Sequence, residues 1–169
     1  MSLKIITWNV NWIRAIAKKW FKDFIKSENP DILCIQETKA FEDQFLKDVG
    51  PIGWYKYVWH AWERPGYAGT AIFYKENLKI IDTKKHFDEY EHFYTDWRVT
   101  EIEFEYSPHL VSPEGEEQRK KRVVLFNWYF PNWWTRADWT EMLSYKLEFY
   151  DHLIDYSRNK SLWRPIFKG

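Results

Sequence analysis

The chain has 169 residues, which is enough for one domain with a sizeable core. Its 25 Lys and Arg residues balance 25 Asp and Glu residues, so no global basic field attracts nucleic acid and an anion has to be bound at a local site. The one cysteine, Cys34, excludes a disulfide framework, no apolar run approaches membrane-spanning length, and we therefore expect a cytoplasmic protein without membrane association.

The first part of the chain predicts a strand, a helix and a second strand. Lys4–Trp8 is rich in β-formers, Ile13–Ile25 has apolar residues at helical spacing, and Ile32–Ile35 is an unbroken apolar run typical of a strand covered on both faces. A strand–helix–strand unit makes its two strands parallel. Asn9 and Glu37, which follow these strands, are therefore expected at the same edge of the sheet.

The rest of the chain predicts further strands and two helices, giving an α/β fold class with helices packed on a mixed β-sheet. One helix is expected over Phe41–Val49 and another from Thr140, with its apolar stripe reaching Ile154. Segments with strand character are Tyr55–Trp59, Thr70–Tyr74, Leu78–Thr83, Val99–Tyr106, Arg122–Phe130 and Trp163–Phe167.

Glu37 is the first candidate for a functional residue, because ligands of open α/β sheets collect beyond the carboxyl ends of the strands. A carboxylate at that position can hold a metal ion or a substrate. A single Glu after a strand is more often a solvated loop residue. The assignment therefore depends on what the other strand ends carry.

Four segments in the same order resemble the exonuclease III family of apurinic/apyrimidinic endonucleases. They are TWNVNW at 7 to 12, IQETK at 35 to 39, RPGYAGTAIFYKE at 64 to 76 and NWYFPN at 127 to 132. The resemblance covers nearly the whole chain and implies an incomplete four-layer α/β sandwich. It also implies a DNA-repair nuclease that cuts the phosphodiester bond 5′ to an abasic site or removes nucleotides from a 3′ end of double-stranded DNA, as a monomer.

The resemblance implies catalytic roles for Tyr129, Asn9 and Glu37, with Mg²⁺, or alternatively Mn²⁺, held by Glu37 and Asn9. Mg²⁺ agrees with this set because it takes oxygen ligands and needs only one or two protein carboxylates. Substrate or phosphate binding is implied for a second set: Asn11, Lys39, Asn132 and Arg98. Arg98 ranks below the other three, as does Tyr67, a further addition from a matching motif.

Two alternatives stay open on the sequence. The first is a different phosphoesterase with the same fold. The second is a non-catalytic module that binds nucleic acid, which would show salt-dependent DNA binding without Mg²⁺-dependent cleavage.

The sequence departs from the family at its end, because Gly169 matches the glycine that precedes the family's Asp-x-Asn motif. We therefore interpret residues 1–169 as the N-terminal part of an endonuclease/exonuclease/phosphatase domain. The motif's Asp helps to activate the attacking water, so we expect little or no nuclease activity from this chain alone. A Mg²⁺-dependent cleavage assay on an abasic-site duplex tests this expectation.

Tryptophan also stands where the family has glycine, and the chain has 12 Trp but 6 Gly. Glycine serves such positions because it adopts positive φ and lets the backbone approach a ligand closely. We hypothesise that UGA codons for glycine were read as tryptophan; alternatively, Trp128, Trp133 and Trp134 form a stacking platform for bases. The positions concerned are Trp12, Trp97, Trp128, Trp133 and Trp139, with Trp20, Trp62 and Trp134 as additions.

Overall fold

A computed structural model describes residues 2–61, 66–86, 98–107, 120–131 and 139–162. The chain divides into two compact units, Met1–Tyr129 and Phe130–Gly169. The strands of the first unit are β1 Ile5–Asn9, β2 Ile32–Gln36, β3 Tyr55–His60, β4 Thr70–Lys75, β5 Ile80–Lys84, β6 Val99–Tyr106 and β7 Lys121–Trp128. Its helices are α1 Ile13–Ala17, α2 Phe21–Glu28 and α3 Glu42–Val49, and the second unit contains α4 Trp139–Leu162.

The first sheet is mixed and has the strand order β1-β2-β4-β3. Strands β1 and β2 are parallel, as the strand–helix–strand pattern predicts, whereas β4 runs antiparallel to both of its neighbours. The register pairs Asn9 with Gln36, so the two strands end side by side. Residues Ile32 to Ile35 are buried, which confirms a central strand covered on both faces.

The second sheet is antiparallel throughout and has the order β5-β6-β7. A cluster of buried residues from both sheets, including Cys34, Ile72 and Phe104, forms the core between them. On the other face of the first sheet, Phe21 of α2 meets Phe45 of α3 edge to face at a centroid distance of 5.7 Å. The first unit is therefore built of a helical layer and two sheets, which confirms the predicted α/β class.

The predicted helix from Ile13 to Ile25 is instead two helices, because the chain turns at residues 18–20 between α1 and α2. In the second unit, α4 begins one residue before the predicted start. The prediction that its stripe through Leu143, Leu147 and Ile154 is buried is wrong, because these side chains are exposed, whereas Phe149 and Tyr156 are buried. The predicted strand Trp163–Phe167 and the phosphate-binding candidate Asn132 lie outside the described residues. Within the described part of the chain, no helix combines the length and the apolar character needed to cross a membrane.

Two of the tryptophans that the structure describes have a left-handed backbone, which side chains with a Cβ adopt only at a cost. Trp12 has φ 100° and Trp54 has φ 57°, and their side chains are 52% and 64% exposed. Trp54 was not among the positions that the sequence singled out. Trp20 and Trp128, which were, have no positive φ: Trp20 has φ −153°, and Trp128 is the last residue of strand β7, so the backbone requires glycine at neither. Trp62, Trp97, Trp133 and Trp134 lie outside the described residues, as does the side chain of Trp139.

Candidate active site

Three loops meet where the first sheet ends: the loops that follow β1 and β2 and the loop that precedes β4. Backbone hydrogen bonds hold them against each other. The amides of Trp12 and Ile13 donate to the carbonyls of Glu37 and Thr38 at 2.9 and 3.1 Å, and the amides of Thr38 and Lys39 donate to those of Gly69 and Ala68 at 3.1 and 2.9 Å.

The backbone of these loops is left-handed at several residues other than glycine. Asn11, Glu37 and Lys39 have φ values of 42°, 55° and 49°. Each such residue costs about 1 to 2 kcal/mol, and residues of this kind persist where the surrounding structure fixes them, often at functional sites. Gly69 has φ 90°, and a Cβ there would overlap the Thr38 hydroxyl, so this position needs glycine.

The polar side chains that follow β1 and β2 form one connected cluster. Asn9 Nδ2 donates to Glu37 Oε1 at 2.7 Å, and Lys39 Nζ lies 2.7 Å from Glu37 Oε2. The same ammonium donates to Asn11 Oδ1 at 2.6 Å. Asn9 Oδ1 accepts the backbone N–H of Asn11 at 3.1 Å. The structure therefore brings four of the predicted site residues into direct contact.

Tyr129 lies beside this cluster at the end of β7, close enough for its phenol and the Glu37 carboxylate to shift each other's pKa. Burial raises the pKa of Glu37, but hydrogen bonds from Asn9 and from the Lys39 ammonium, with the charge of the latter, outweigh burial and leave the pKa below its ordinary value. Burial and the neighbouring Glu37 charge raise the pKa of Tyr129. At neutral pH the site therefore holds an ionised carboxylate and a protonated phenol.

Arg98 lies next to Tyr129 and is only 3% exposed. Its guanidinium carbon is 4.9 Å from the centroid of the Tyr129 ring and 5.5 Å from that of Tyr67, distances at which a cation is attracted to an aromatic face. Arg98 Nη2 also donates to the Tyr67 hydroxyl at 2.8 Å, and the Tyr129 amide donates to the Arg98 carbonyl at 2.8 Å. Arg98 therefore supports the phenol of Tyr129.

The donor set suits a hard divalent cation. Glu37 offers two carboxylate oxygens and Asn11 an amide oxygen close by, whereas Asn9, predicted as a metal ligand, turns its Nδ2 toward Glu37 and its Oδ1 toward the Asn11 backbone N–H. The positively charged Lys39 ammonium contacts both Glu37 Oε2 and Asn11 Oδ1, so these two oxygens form a site that attracts a cation. Among the described residues no group of three or more His, Cys, Asp and Glu side chains could hold a metal ion. Mg²⁺ accepts a site of this kind, in which one protein carboxylate binds the ion and waters and substrate oxygens are its other ligands.

Sequence reasoning missed two residues beneath this cluster. Asn127 in β7 is 2% exposed and accepts a hydrogen bond at 2.6 Å from Gln36 Nε2, across the two sheets. Asn127 and Gln36 are polar residues at the ends of apolar strands, and this position is the sequence signal that could have identified them. Asn132, by contrast, was predicted but lies outside the described residues.

The fold consists of helices and two sheets, and one sheet edge carries a single ionised carboxylate, amides, an ammonium and a phenol. These groups define a protein suited to binding a cation together with an anion. The chain belongs to the endonuclease/exonuclease/phosphatase family, whose sequence profile matches residues 6–158. Members of this family use divalent metal ions.

The similar proteins confirm the resemblance found in the sequence. An exodeoxyribonuclease of Bacillus subtilis is 30% identical over 169 residues, covering 97% of this chain and 56% of that protein. A DNA-(apurinic or apyrimidinic site) endonuclease of Dictyostelium discoideum is 29% identical, covering 89% of this chain and 36% of that protein. This chain therefore spans about half, or less, of the length of these relatives.

Solved structures agree in fold. The AP endonuclease LMAP from Leishmania major superposes with a TM-score of 0.71 at 26% identity, over 99% of this chain and 51% of that chain. The catalytic domain of Xenopus laevis APE2 gives a TM-score of 0.70 at 24% identity, over 89% of this chain and 52% of that chain. At that lower identity the likeness concerns the fold alone.

Proposed function

We propose that this chain supplies the cation- and phosphate-binding part of a Mg²⁺-dependent DNA-repair nuclease, which hydrolyses phosphodiester bonds at abasic sites or 3′ ends of double-stranded DNA. The observation that carries the proposal is the contact of Glu37 with Asn9 and Lys39 at the carboxyl edge of the first sheet, with Tyr129 beside them. The names of the relatives in Bacillus subtilis and Dictyostelium discoideum support the substrate.

Glu37, with the amide oxygen of Asn11, would hold the divalent ion. When bound, that ion would polarise a phosphoryl oxygen and neutralise the charge that develops in the transition state. The hydrogen bond between Asn9 Nδ2 and Glu37 Oε1 fixes the orientation of the carboxylate. The lowered pKa of Glu37 keeps that carboxylate charged at neutral pH.

Tyr129 would donate its phenolic hydrogen to a phosphate oxygen. The phenol lies beside Glu37, and burial and the Glu37 charge raise its pKa, which keeps the proton in place at neutral pH. Arg98, beside the ring face, restrains the phenol and adds positive charge close to the expected phosphate. Prearranged donors of this kind stabilise the charge on a phosphoryl group without further reorganisation.

Binding measurements test this proposal directly. The fluorescence anisotropy of a labelled abasic-site duplex should show Mg²⁺-dependent binding to the chain, and Glu37→Gln should abolish the Mg²⁺ dependence. Glu42→Gln is the matched control, because Glu42 is an acidic residue of α3 that accepts a hydrogen bond from the Tyr57 hydroxyl. Binding that responds neither to Mg²⁺ nor to Glu37→Gln would overturn the cation site.

A cleavage assay separates the site from the activity of this chain. We propose that the 169-residue chain alone cuts the abasic duplex slowly or not at all, since the only acid in the described cluster is the one that would hold the metal. Efficient Mg²⁺-dependent cleavage that Glu37→Gln abolishes would support the nuclease function and refute the expected inactivity.

A further inference from the structure

Asn127 joins the two sheets directly beneath the candidate site. Its side-chain Nδ2 lies 2.9 Å from the carbonyl of Ile35 in β2, 3.0 Å from that of Ala71 in β4, and 3.1 Å from the hydroxyl of Thr100 in β6. One buried amide therefore contacts two strands of the first sheet and one neighbouring strand of its own sheet.

The orientation of this amide follows from its partners. Backbone carbonyls only accept hydrogen bonds, so the nitrogen of Asn127 has to face Ile35 and Ala71, and its Oδ1 then accepts from Gln36 Nε2 at 2.6 Å. Gln36 Nε2 also donates to the Thr7 hydroxyl in β1 at 2.9 Å. The network thus extends from β7 through β2 to β1.

The residues of this hydrogen-bond network lie next to the functional residues in the sequence of each strand. Asn127 precedes Tyr129 by two residues, and Gln36 directly precedes Glu37. Of these, Tyr129 comes from the second sheet and Glu37 from the first. The distance between Tyr129 and Glu37 therefore depends on how the end of β7 packs against the end of β2. The hydrogen bonds of the Asn127 amide fix that packing.

We propose that Asn127, acting with Gln36, is a positioning residue that fixes the phenol of Tyr129 against the carboxylate of Glu37. The inference deepens the proposed function, on which it rests, because it concerns the same cation and phosphate site. The side-chain hydrogen bonds of Asn127 go to Gln36, Ile35, Ala71 and Thr100 and not to Tyr129. Residues that orient a metal ligand from outside typically change metal affinity by about 10- to 100-fold when they are replaced.

The test follows Tyr129 directly in the full 169-residue chain. The protein is labelled with 3-fluorotyrosine, and the fluorine NMR signal of Tyr129 is assigned by its loss in Tyr129→Phe. Asn127→Ala removes the whole amide, whereas Asn127→Asp keeps its shape but places an oxygen against two carbonyls. Ile102→Val is the control, since it lowers stability through a fully buried side chain of the same sheet. Mn²⁺ serves as the cation because it broadens nearby signals.

We expect both Asn127 variants to displace the Tyr129 signal at neutral pH, and to raise by about tenfold the Mn²⁺ concentration that half-broadens it. Ile102→Val should leave both quantities unchanged. A Tyr129 signal that stays at its wild-type position in the Asn127 variants would refute the positioning role, whatever their stability. If those variants do not fold, Gln36→Met tests the same link on a half-buried side chain, and an unmoved signal there would equally refute it.

The two proposals fail separately. The position of the Tyr129 signal without metal needs neither cation nor DNA, so it reports on Asn127 alone. If the signal moves in the Asn127 variants but Mn²⁺ never broadens it in the unmodified chain, the positioning role is supported and the cation site of the proposed function is contradicted.

Discussion

Replacement of Trp12 by glycine and by alanine tests whether this position requires glycine. Trp12 has φ 100° and is 52% exposed, so about half of its indole is covered. Deleting about 100 Å² of covered indole surface costs about 2.5 kcal/mol at about 25 cal/mol/Å². Both replacements lose this contribution equally. The difference between the free energies of unfolding of the two variants therefore measures the effect of the backbone conformation.

Alanine at position 12 keeps the cost of a positive φ, about 1 to 2 kcal/mol, whereas glycine removes it. Glycine instead adds about 0.5 to 1 kcal/mol because the unfolded chain gains conformational freedom. We therefore expect Trp12→Gly to be more stable than Trp12→Ala by about 0.5 to 1 kcal/mol. At Trp8, a position in strand β1, the order should reverse, with Trp8→Gly less stable than Trp8→Ala by a similar amount.

Urea unfolding monitored by circular dichroism measures all four variants. Trp54, with φ 57° and 64% exposure, should repeat the result of Trp12. If alanine is as stable as glycine at position 12, the backbone argument is wrong. The codons give an independent test: UGA at positions 12 and 54 with UGG at position 8 would support glycine codons read as tryptophan, and UGG at position 12 would contradict that reading.

Three further predictions concern other parts of the fold and site. Gly69→Ala should lower the free energy of unfolding by at least about 1 to 2 kcal/mol, because of its positive φ, whereas Gly53→Ala, with open space around it, should have little effect in the same thermal unfolding experiment. Burial lowers the pKa of His60 from 6.5 to about 4, so between these pH values the unfolded chain binds a proton that the folded chain does not. Stability should therefore fall as the pH drops through this window, by at most about 3 kcal/mol, and a His60→Gln variant that keeps the full slope would show the reasoning to be wrong. Lys39→Met should tighten Mn²⁺ binding measured by electron paramagnetic resonance, because it removes an ammonium that lies 2.7 Å from Glu37; unchanged or weaker binding would mean that Lys39 does not compete with the cation.

The strand segments, the parallel pairing of β1 with β2 and the sheet edge at Glu37 were predictable because they depend on local patterns. The apolar run of β2 and the helical spacing before it specify a parallel pair, and the structure has that pair in the register Asn9 with Gln36. The break between α1 and α2 was not predictable from spacing, because apolar residues continue at helical intervals through Trp20. Periodicity reports which face is apolar, and it does not report where the backbone turns.

The details of the site were beyond the sequence for a different reason. Gln36 and Asn127 are 91 residues apart, and neither shows by its own neighbours that the two side chains meet. The left-handed backbone at Glu37 and Lys39 likewise depends on hydrogen bonds from other loops. Motifs identified the residue types, whereas the contacts among them arise from the packing of one sheet on the other.

Lys39 acts as a tethered counter-ion for Glu37, since its ammonium bridges that carboxylate and the amide oxygen of Asn11. Competition for the carboxylate is therefore intramolecular and does not change with protein concentration. Because the Lys39 ammonium is covalently attached to the chain, an incoming ion needs more than a single charge to displace it from Glu37. The resting site should for this reason reject Na⁺ and K⁺ at cellular concentrations while still admitting a doubly charged ion.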